Sequence, residues 1–525
     1  MSEQRYDTVV IGAGIAGMAT SAILAKDFGK SVLVLERAPF IGGRAVSFVG
    51  KGDKVVADGV EMGVREFKKA LAHARTFVGT CYPDLETIFA EGMLDGYTIE
   101  AGGHGLFWGN KSRMRCVLDH LGAPVDMPVN TGLAFIDHKN GNTMHQVAPG
   151  GKYEWMTDEG YATTLAALRD MATTTPHQMA ELMETPLSEW LDERNLHPEA
   201  YDYIKVLAAS QTAMAEPAMT PTGDFLGYMM AARPIGMNLI TGSVATVGEP
   251  GPIAIPKAME QVLLDHGGEI RRSTVVANVI IEDGRATGVE IHTDDGLDTI
   301  RADHVICTIP PKYIFNVLPK EVFPSEWVDT LSTKFWGAGL LSAYIALKRD
   351  VWADYGIDER SFIYMPDIMS EGYTGAVDMV MAVMSPWGGR RAPEGKRDFV
   401  FSTALTDKEM RDPEKVKRVT DWCDEWFRET FPTWEEDMEF CIWTPSPEAY
   451  GLWRPVGEDR PDVQSPWVDG LYFAGDQYGR RLWGGGVDGA SLSAVLCVDA
   501  MEGTNLEEDI FPWYHQGIPE LELTM

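Results

Sequence analysis

The stretch YDTVVIGAGIAG, residues 6–17, decides the fold. Tyr6 to Ile11 is an apolar, β-branched run of strand length, and a helical pattern follows the glycines from Met18 to Phe28. A second strand, Ser31 to Leu35, ends at Glu36, 24 positions beyond Gly12. Strand, glycine turn, helix and strand in this order predict a βαβ unit that binds a dinucleotide. Gly12 permits the tight turn, Gly14 lets the backbone approach a pyrophosphate, and Gly17 lets the helix pack on the strand. Ile15 and Ala16 lie within the glycine turn and count with it as cofactor-binding, and the N-terminus of the helix that follows offers unpaired N–H groups and a positive dipole end to phosphate. Glu36 is placed to accept hydrogen bonds from ribose hydroxyls.

The residues after Glu36 move the expected cofactor from NAD to FAD. The run Arg37-Ala38-Pro39-Phe40-Ile41-Gly42-Gly43-Arg44 resembles the superfamily of flavin-containing amine oxidases and phytoene desaturases, where Gly-Gly-Arg follows the ribose-binding acid. The resemblance implies that Arg37, Gly42, Gly43 and Arg44 lie along the diphosphate and flavin, where a cationic fork suits phosphate. Near the other end, Gly470-Leu471-Tyr472-Phe473-Ala474-Gly475-Asp476 is a short strand ending in Gly-Asp. Trp483-Gly484-Gly485-Gly486-Val487-Asp488-Gly489-Ala490 then leads into a helical pattern, Ser491 to Met501. This is similar to the same superfamily's second FAD motif. There Gly475 and Asp476 would bind the ribityl–phosphate region, Gly486, Val487 and Ala490 would belong to the cofactor-binding segment, and the helix that follows would aim its N-terminus at the flavin pyrimidine. A helix N-terminus in that place stabilises the anionic reduced flavin. A third match runs from Gly267-Gly268-Glu269-Ile270 to Val275-Val276-Ala277, with the Val276 backbone facing adenine, and on to the strand ending at Cys307-Thr308-Ile309-Pro310. No histidine or cysteine sits in an evident flavin-attachment motif, so the expected FAD is non-covalent.

The resemblance implies an α/β fold with a discontinuous Rossmann-like FAD-binding domain, a parallel sheet with helices, built from residues 1–100, 240–312 and 455–505. Residues 101–239 and 313–454 make a mixed α+β substrate-binding domain, and 506–525 form a C-terminal tail. Gly102, Gly103 and His104 mark the crossing between domains, which in relatives runs beside the isoalloxazine. The segment from Gly50 to Met93 reads as an insertion with a basic helical pattern (Arg65, Lys68, Lys69, His73, Arg75), rare in so acidic a chain. A substrate lid, a homodimer contact and surface elaboration are its readings, the last two preferred.

Composition narrows the partners. The formal net charge of −33 repels nucleic acid and disfavours anionic membranes. No apolar run reaches the roughly 18 residues that suggest a transmembrane helix. The six cysteines show no CxxC and no metal-type spacing, so no metal is expected and the thiols read as reduced. With only Met1 to Arg5 before the first strand, no signal peptide is read and a cytoplasmic location is expected.

A flavin oxidises by accepting hydride, so the protein must position a C–H bond and exclude water. Near the ring the sequence places His104, Phe107 and Trp108 from the crossing and Tyr478, Arg480, Arg481 and Trp483 from the closing loop, with Trp336 as a further contributor. His104, Tyr478 and Trp483 are the catalytic candidates. Amine oxidases of the superfamily carry a lysine at the start of a strand that aligns with Ser342-Ala343-Tyr344-Ile345-Ala346-Leu347, and Ser342 takes its place here. One position of their aromatic cage falls on Gly486. These departures favour desaturation of a carbon–carbon bond in a small apolar, alicyclic or isoprenoid compound, α,β to a carbonyl. For that chemistry a tyrosine or histidine removes the α-proton. An amine oxidase releasing imine and hydrogen peroxide is the alternative, and a redox-neutral isomerase using reduced FAD is another. Oxygen, a quinone or another acceptor stays open.

Overall fold

A computed structural model describes residues 4–101, 106–107, 112–127, 132–137, 141, 143–147, 156–212, 217–231, 244–245, 247–333, 337–356, 361–364, 382–384, 391–451, 456, 460–479 and 486–512. The N-terminal strand Gln4–Ile11 pairs in parallel with Val32–Leu35 on one side and with Gly296–Cys307 on the other. Val9, Val10 and Val32 to Val34 are fully buried, as expected of a central strand pair covered on both faces. Glu269–Arg271 extends the sheet beyond Val32–Leu35, and Leu471–Phe473 adds in parallel to Gly296–Cys307. Val276–Glu282 and Arg285–Thr293 complete the seven strands as an antiparallel flank. The chain therefore leaves this sheet after Cys307 and returns to it at Leu471 to complete the cofactor fold.

The helix Ile15–Phe28 is buried from Ile15 to Ala25 on every side, which its alanines, Gly17 and Ser21 permit. It packs against the helices Ala254–Asp265 and Gly486–Glu502. Gly29 ends it in the left-handed region (φ 61°), its N–H bonded back to Ala25.

A second sheet of eight strands has Gly337–Leu347 antiparallel to both Arg397–Leu405 and Met438–Gly451. Its one parallel pair among the described residues joins Ser361–Tyr364 to Gly132–Asp137. Trp352, Phe399, Phe427, Phe431 and Trp434 pack as an aromatic core beneath it. A third sheet, of four strands, holds Val60–Met62, Lys54–Ala57, Ser47–Lys51 and Thr98–Glu100.

Two boundaries differ from those read in the sequence. Cys81–Tyr82, assigned to the cofactor domain, pairs with Met438–Gly451 at the edge of the eight-stranded sheet. Its long-range partner leaves no trace in local sequence. The tail does not begin at 506 either. Leu506–Ile510 is a helix on Gly486–Glu502, with Ile510 and Phe511 buried in the main core. Asp499 fixes it by accepting from the N–H groups of Leu506 and Glu507 at 2.6 and 3.0 Å.

Candidate cofactor site

The parallel register sets Ile11 level with Leu35 and with Cys307, so Gly12, Glu36 and Thr308 meet at the carboxyl edge of the sheet. That edge is where open α/β sheets bind ligands. Gly12 adopts φ +107°, and a Cβ there would stand 2.4 Å from the Thr308 hydroxyl. Thr308 Oγ1 donates to the Ile11 carbonyl at 2.7 Å, closing the floor of the turn. At Gly17 a Cβ would lie 2.1 Å from the Gly12 carbonyl, the close helix–turn approach the motif requires. Gly14 is different. Nothing in the protein lies within 4 Å of where its Cβ would be, and its φ of −77° suits any residue. The bare backbone there faces an open groove, which fits a diphosphate lying against the start of the helix.

Glu36 is 8 % exposed and held by two backbone donors, Ala13 N–H to Oε2 at 2.9 Å and Ala38 N–H to Oε1 at 2.8 Å. Burial pushes its carboxyl up from the usual range, against the pull of those amides. The fixed carboxylate retains acceptor positions for a ribose. The Gly42 N–H donates to the Ala13 carbonyl at 2.9 Å, which pins the Gly-Gly-Arg loop to the first glycine turn. Arg44 then reaches Asp476 Oδ1 at 2.7 Å, across 432 positions of sequence. Asp476 is 4 % exposed, so this bridge ties the opening motif to the closing one at a buried carboxylate.

These groups line one cavity of about 830 Å³. Of the residues expected to bind cofactor, Gly12, Gly14, Ile15, Ala16, Gly17, Glu36, Arg37, Gly42, Gly43 and Arg44 lie in its wall. So do Val276, Gly475, Asp476, Gly486, Val487 and Ala490. Gly102, Gly103, His104, Trp108, Trp336, Arg480, Arg481 and Trp483 lie outside the described residues, and of Phe107 only the backbone strand is described. Tyr478 lines the cavity but does not have the setting of a catalytic base. Its side chain is buried, its hydroxyl donates to the Ile309 carbonyl at 2.6 Å, and its ring stacks on Phe473 at 5.3 Å. Burial raises its ionisation well above the ordinary tyrosine value, which keeps the phenol protonated and structural.

Three features escaped the sequence reading. The first is Arg113, 2 % exposed, whose N–H and Nη1 both bond Asp488, at 2.6 and 2.7 Å. This locks the first turn of the helix Gly486–Glu502 in place. The second is Thr308, beneath Gly12. The third is a group of charged side chains at the cavity wall, Arg75, Arg411 and Glu448, with Tyr313 among them. Only Arg75 carried a signal, as part of the basic run in the insertion.

Comparison with known proteins agrees with this geometry. Residues 90–501 match the family model for flavin containing amine oxidoreductases, and residues 10–78 match that for an NAD(P)-binding Rossmann-like domain. The flavin-dependent L-tryptophan oxidase RebO of Lentzea aerocolonigenes is 24% identical over 96% of this chain and 99% of its own. A neurosporene-forming phytoene desaturase of Rhodobacter capsulatus is 30% identical over 28% of this chain and 30% of its own. Among solved structures, an oxidoreductase from Methanosarcina mazei covers 95% of this chain and 100% of its own with a TM-score of 0.64 at 16% identity. Putrescine oxidase bound to putrescine covers 95% and 99% with a TM-score of 0.61 at 14% identity. With the family model spanning most of the chain and its motifs meeting around one dinucleotide-sized cavity, the protein belongs to the flavin-containing amine oxidoreductases and is an FAD-dependent oxidoreductase.

Proposed function

We propose that the chain takes hydride from a substrate carbon and so introduces a carbon–carbon double bond into a small apolar or alicyclic compound, α,β to a carbonyl. The observation that carries this choice is Ser342. By the resemblance it takes the place of the lysine that amine oxidases of the family carry, and here it is 3 % exposed with its hydroxyl 2.9 Å from that of Ser402. That side chain is satisfied inside the sheet and offers no ammonium to the reaction. FAD, when bound non-covalently, supplies the hydride acceptor. The chain's own part is to bind, orient and keep water out. The helix Gly486–Glu502 brings its positive end to the cavity, and the Arg113–Asp488 pair fixes that end before any charge develops. Ile15, Met114 and Val487 give the same region an apolar lining. With the Tyr478 hydroxyl committed to a carbonyl, His104 is the sequence candidate left to take the α-proton. Oxygen or a quinone would reoxidise the cofactor.

Amine oxidation is the second reading, favoured by the end-to-end likeness to an L-tryptophan oxidase. Anaerobic mixing of the yellow protein with cyclic ketones, isoprenoid polyenes, amines and L-tryptophan separates the two. Bleaching of the flavin band by a ketone or polyene alone supports desaturation. Bleaching by an amine or amino acid, with hydrogen peroxide on admitting air, replaces it with the second reading. Product formation from a polyene only after prior reduction of the flavin, with the flavin still reduced at the end, would mark redox-neutral isomerisation.

A further inference from the structure

We propose that residues 73–80, inside the insertion, clasp the adenosine-diphosphate half of the FAD site, with the Arg75 guanidinium directed at the diphosphate. The proposal rests on the FAD assignment and gives that site a segment outside its family motifs.

Placement is the first support. His73, Arg75 and Phe77 line the same cavity as Gly14, Glu36 and Val276. The segment is fastened at the ribose end, where Arg37 Nη2 donates to the His73 carbonyl at 3.3 Å. The His73 ring meets Phe40 edge-on at 6.3 Å. On the far side, the N–H groups of Phe77 and Gly79 donate to the carbonyls of Pro445 and Trp443, at 2.9 and 2.7 Å. Between them the Thr76 hydroxyl donates to the Ala101 carbonyl and lies 2.8 Å from that of Ser446. The remainder of the basic pattern does something else. Arg65, Lys68 and Lys69 are turned to solvent, and Lys68 pairs with Glu86.

Backbone and charge point the same way. Arg75 adopts φ +62° as the left-handed residue that ends the helix Val64–His73. Its own N–H is bonded to the Ala72 carbonyl and that of Thr76 to the Leu71 carbonyl, both at 3.0 Å, and this turn directs the chain from the helix along the cavity. The Arg75 guanidinium lies 4.1 Å from the Tyr313 ring centre, and Nη1 meets Glu448 Oε2 at 2.5 Å. Lys312 and Arg411 converge on the other Glu448 oxygen at 3.5 and 3.0 Å, and Arg411 also pairs with Asp407 at 2.9 Å. Among the described residues, three cations thus share two carboxylates, and the Arg44–Asp476 pair beside them is already balanced. Of these three cations and two carboxylates, Arg75, Arg411 and Glu448 reach the cavity wall, two guanidinium groups against one carboxylate, in a chain whose net charge is −33. Burial, and then the nearby Arg44 charge, push the Arg75 guanidinium down, while burial and Arg37 push the His73 imidazole down. A guanidinium at a cavity wall beside a phosphate-binding turn is placed to meet an anion such as the diphosphate.

The test uses the full-length holoenzyme, diluted in series, with free-flavin fluorescence reporting FAD dissociation. Arg75→Ala is expected to raise the FAD dissociation constant about tenfold, the scale of losing one charge-assisted contact. Glu448→Gln is expected to move it the other way, because it frees the guanidinium for the diphosphate. A merely structural ion pair would make both variants loosen FAD. Either that parallel loosening, or Arg75→Ala holding FAD as tightly as the parent chain, overturns the clasp and leaves the FAD assignment standing. A parent chain that carries no FAD overturns both. Should Arg75→Ala not fold, the direction of change in Glu448→Gln decides.

Discussion

Gly14 and Gly17 stand one helical turn apart and answer to different neighbours. A methyl on Gly17 would be driven into the Gly12 carbonyl, so Gly17→Ala should destabilise the fold by about 1–3 kcal/mol, read as a lower denaturation midpoint. A methyl on Gly14 meets only the groove. Gly14→Ala should keep the parent's melting temperature without flavin and lose FAD affinity. A Gly14→Ala protein that holds FAD normally would contradict a diphosphate at that backbone. Both glycines were legible in the sequence because their roles are local, set by a turn of a few residues. Asp398 was not legible. It is buried beside Glu100, the two sharing one buried guanidinium, with Arg391 Nη1 on Glu100 at 2.5 Å and Nε 3.8 Å from Asp398. Burial raises the Asp398 carboxyl to about 6. A raised acid favours the folded state while protonated, so its contribution is complete at low pH and is lost as pH rises through about 6. Asp398→Asn should therefore gain melting temperature relative to the parent as pH rises from about 5 to about 7. A gap constant across that range would contradict the assignment.

At the scale of elements, the helix Gly486–Glu502 is held at its first turn by a pair neither of whose members is near the other in sequence. Arg113 and Asp488 side chains are 2% and 11% exposed. Removing one partner leaves the other charge buried, so Arg113→Ala should cost about 3–5 kcal/mol, while Arg113→Met with Asp488→Asn together should cost much less. Equal losses in the two proteins, measured by denaturant unfolding, would show that the pair is not the reason. The helix itself was legible from its glycines and apolar spacing. Its anchor was not, because an ion pair spanning 375 positions has no local pattern. The insertion divides in the same way. Its basic helix reads as one feature in sequence, whereas the structure leaves Arg65, Lys68 and Lys69 toward solvent and draws His73 and Arg75 to the cavity. The distinction depends on the strand Met438–Gly451, which receives residues 77–82 at its edge.

For the molecule as a whole, the cofactor sheet was readable because each of its FAD motifs joins a short apolar strand to a nearby run of glycines. Glu36, Val276 and Asp476 each follow from such a unit. The eight-stranded sheet was readable only as an expectation from resemblance, since its strands pair across long separations and carry no shared motif. Two half-sites, joined by Arg44 and Asp476 across 432 positions of sequence, make one full-length dinucleotide site. The most direct measurement of that claim is the identity and amount of flavin released by heat from the purified chain. One FAD per chain is the predicted result. No flavin, or FMN in its place, would contradict it, because the cavity would then have no use for the adenosine half that Glu36 and Val276 line.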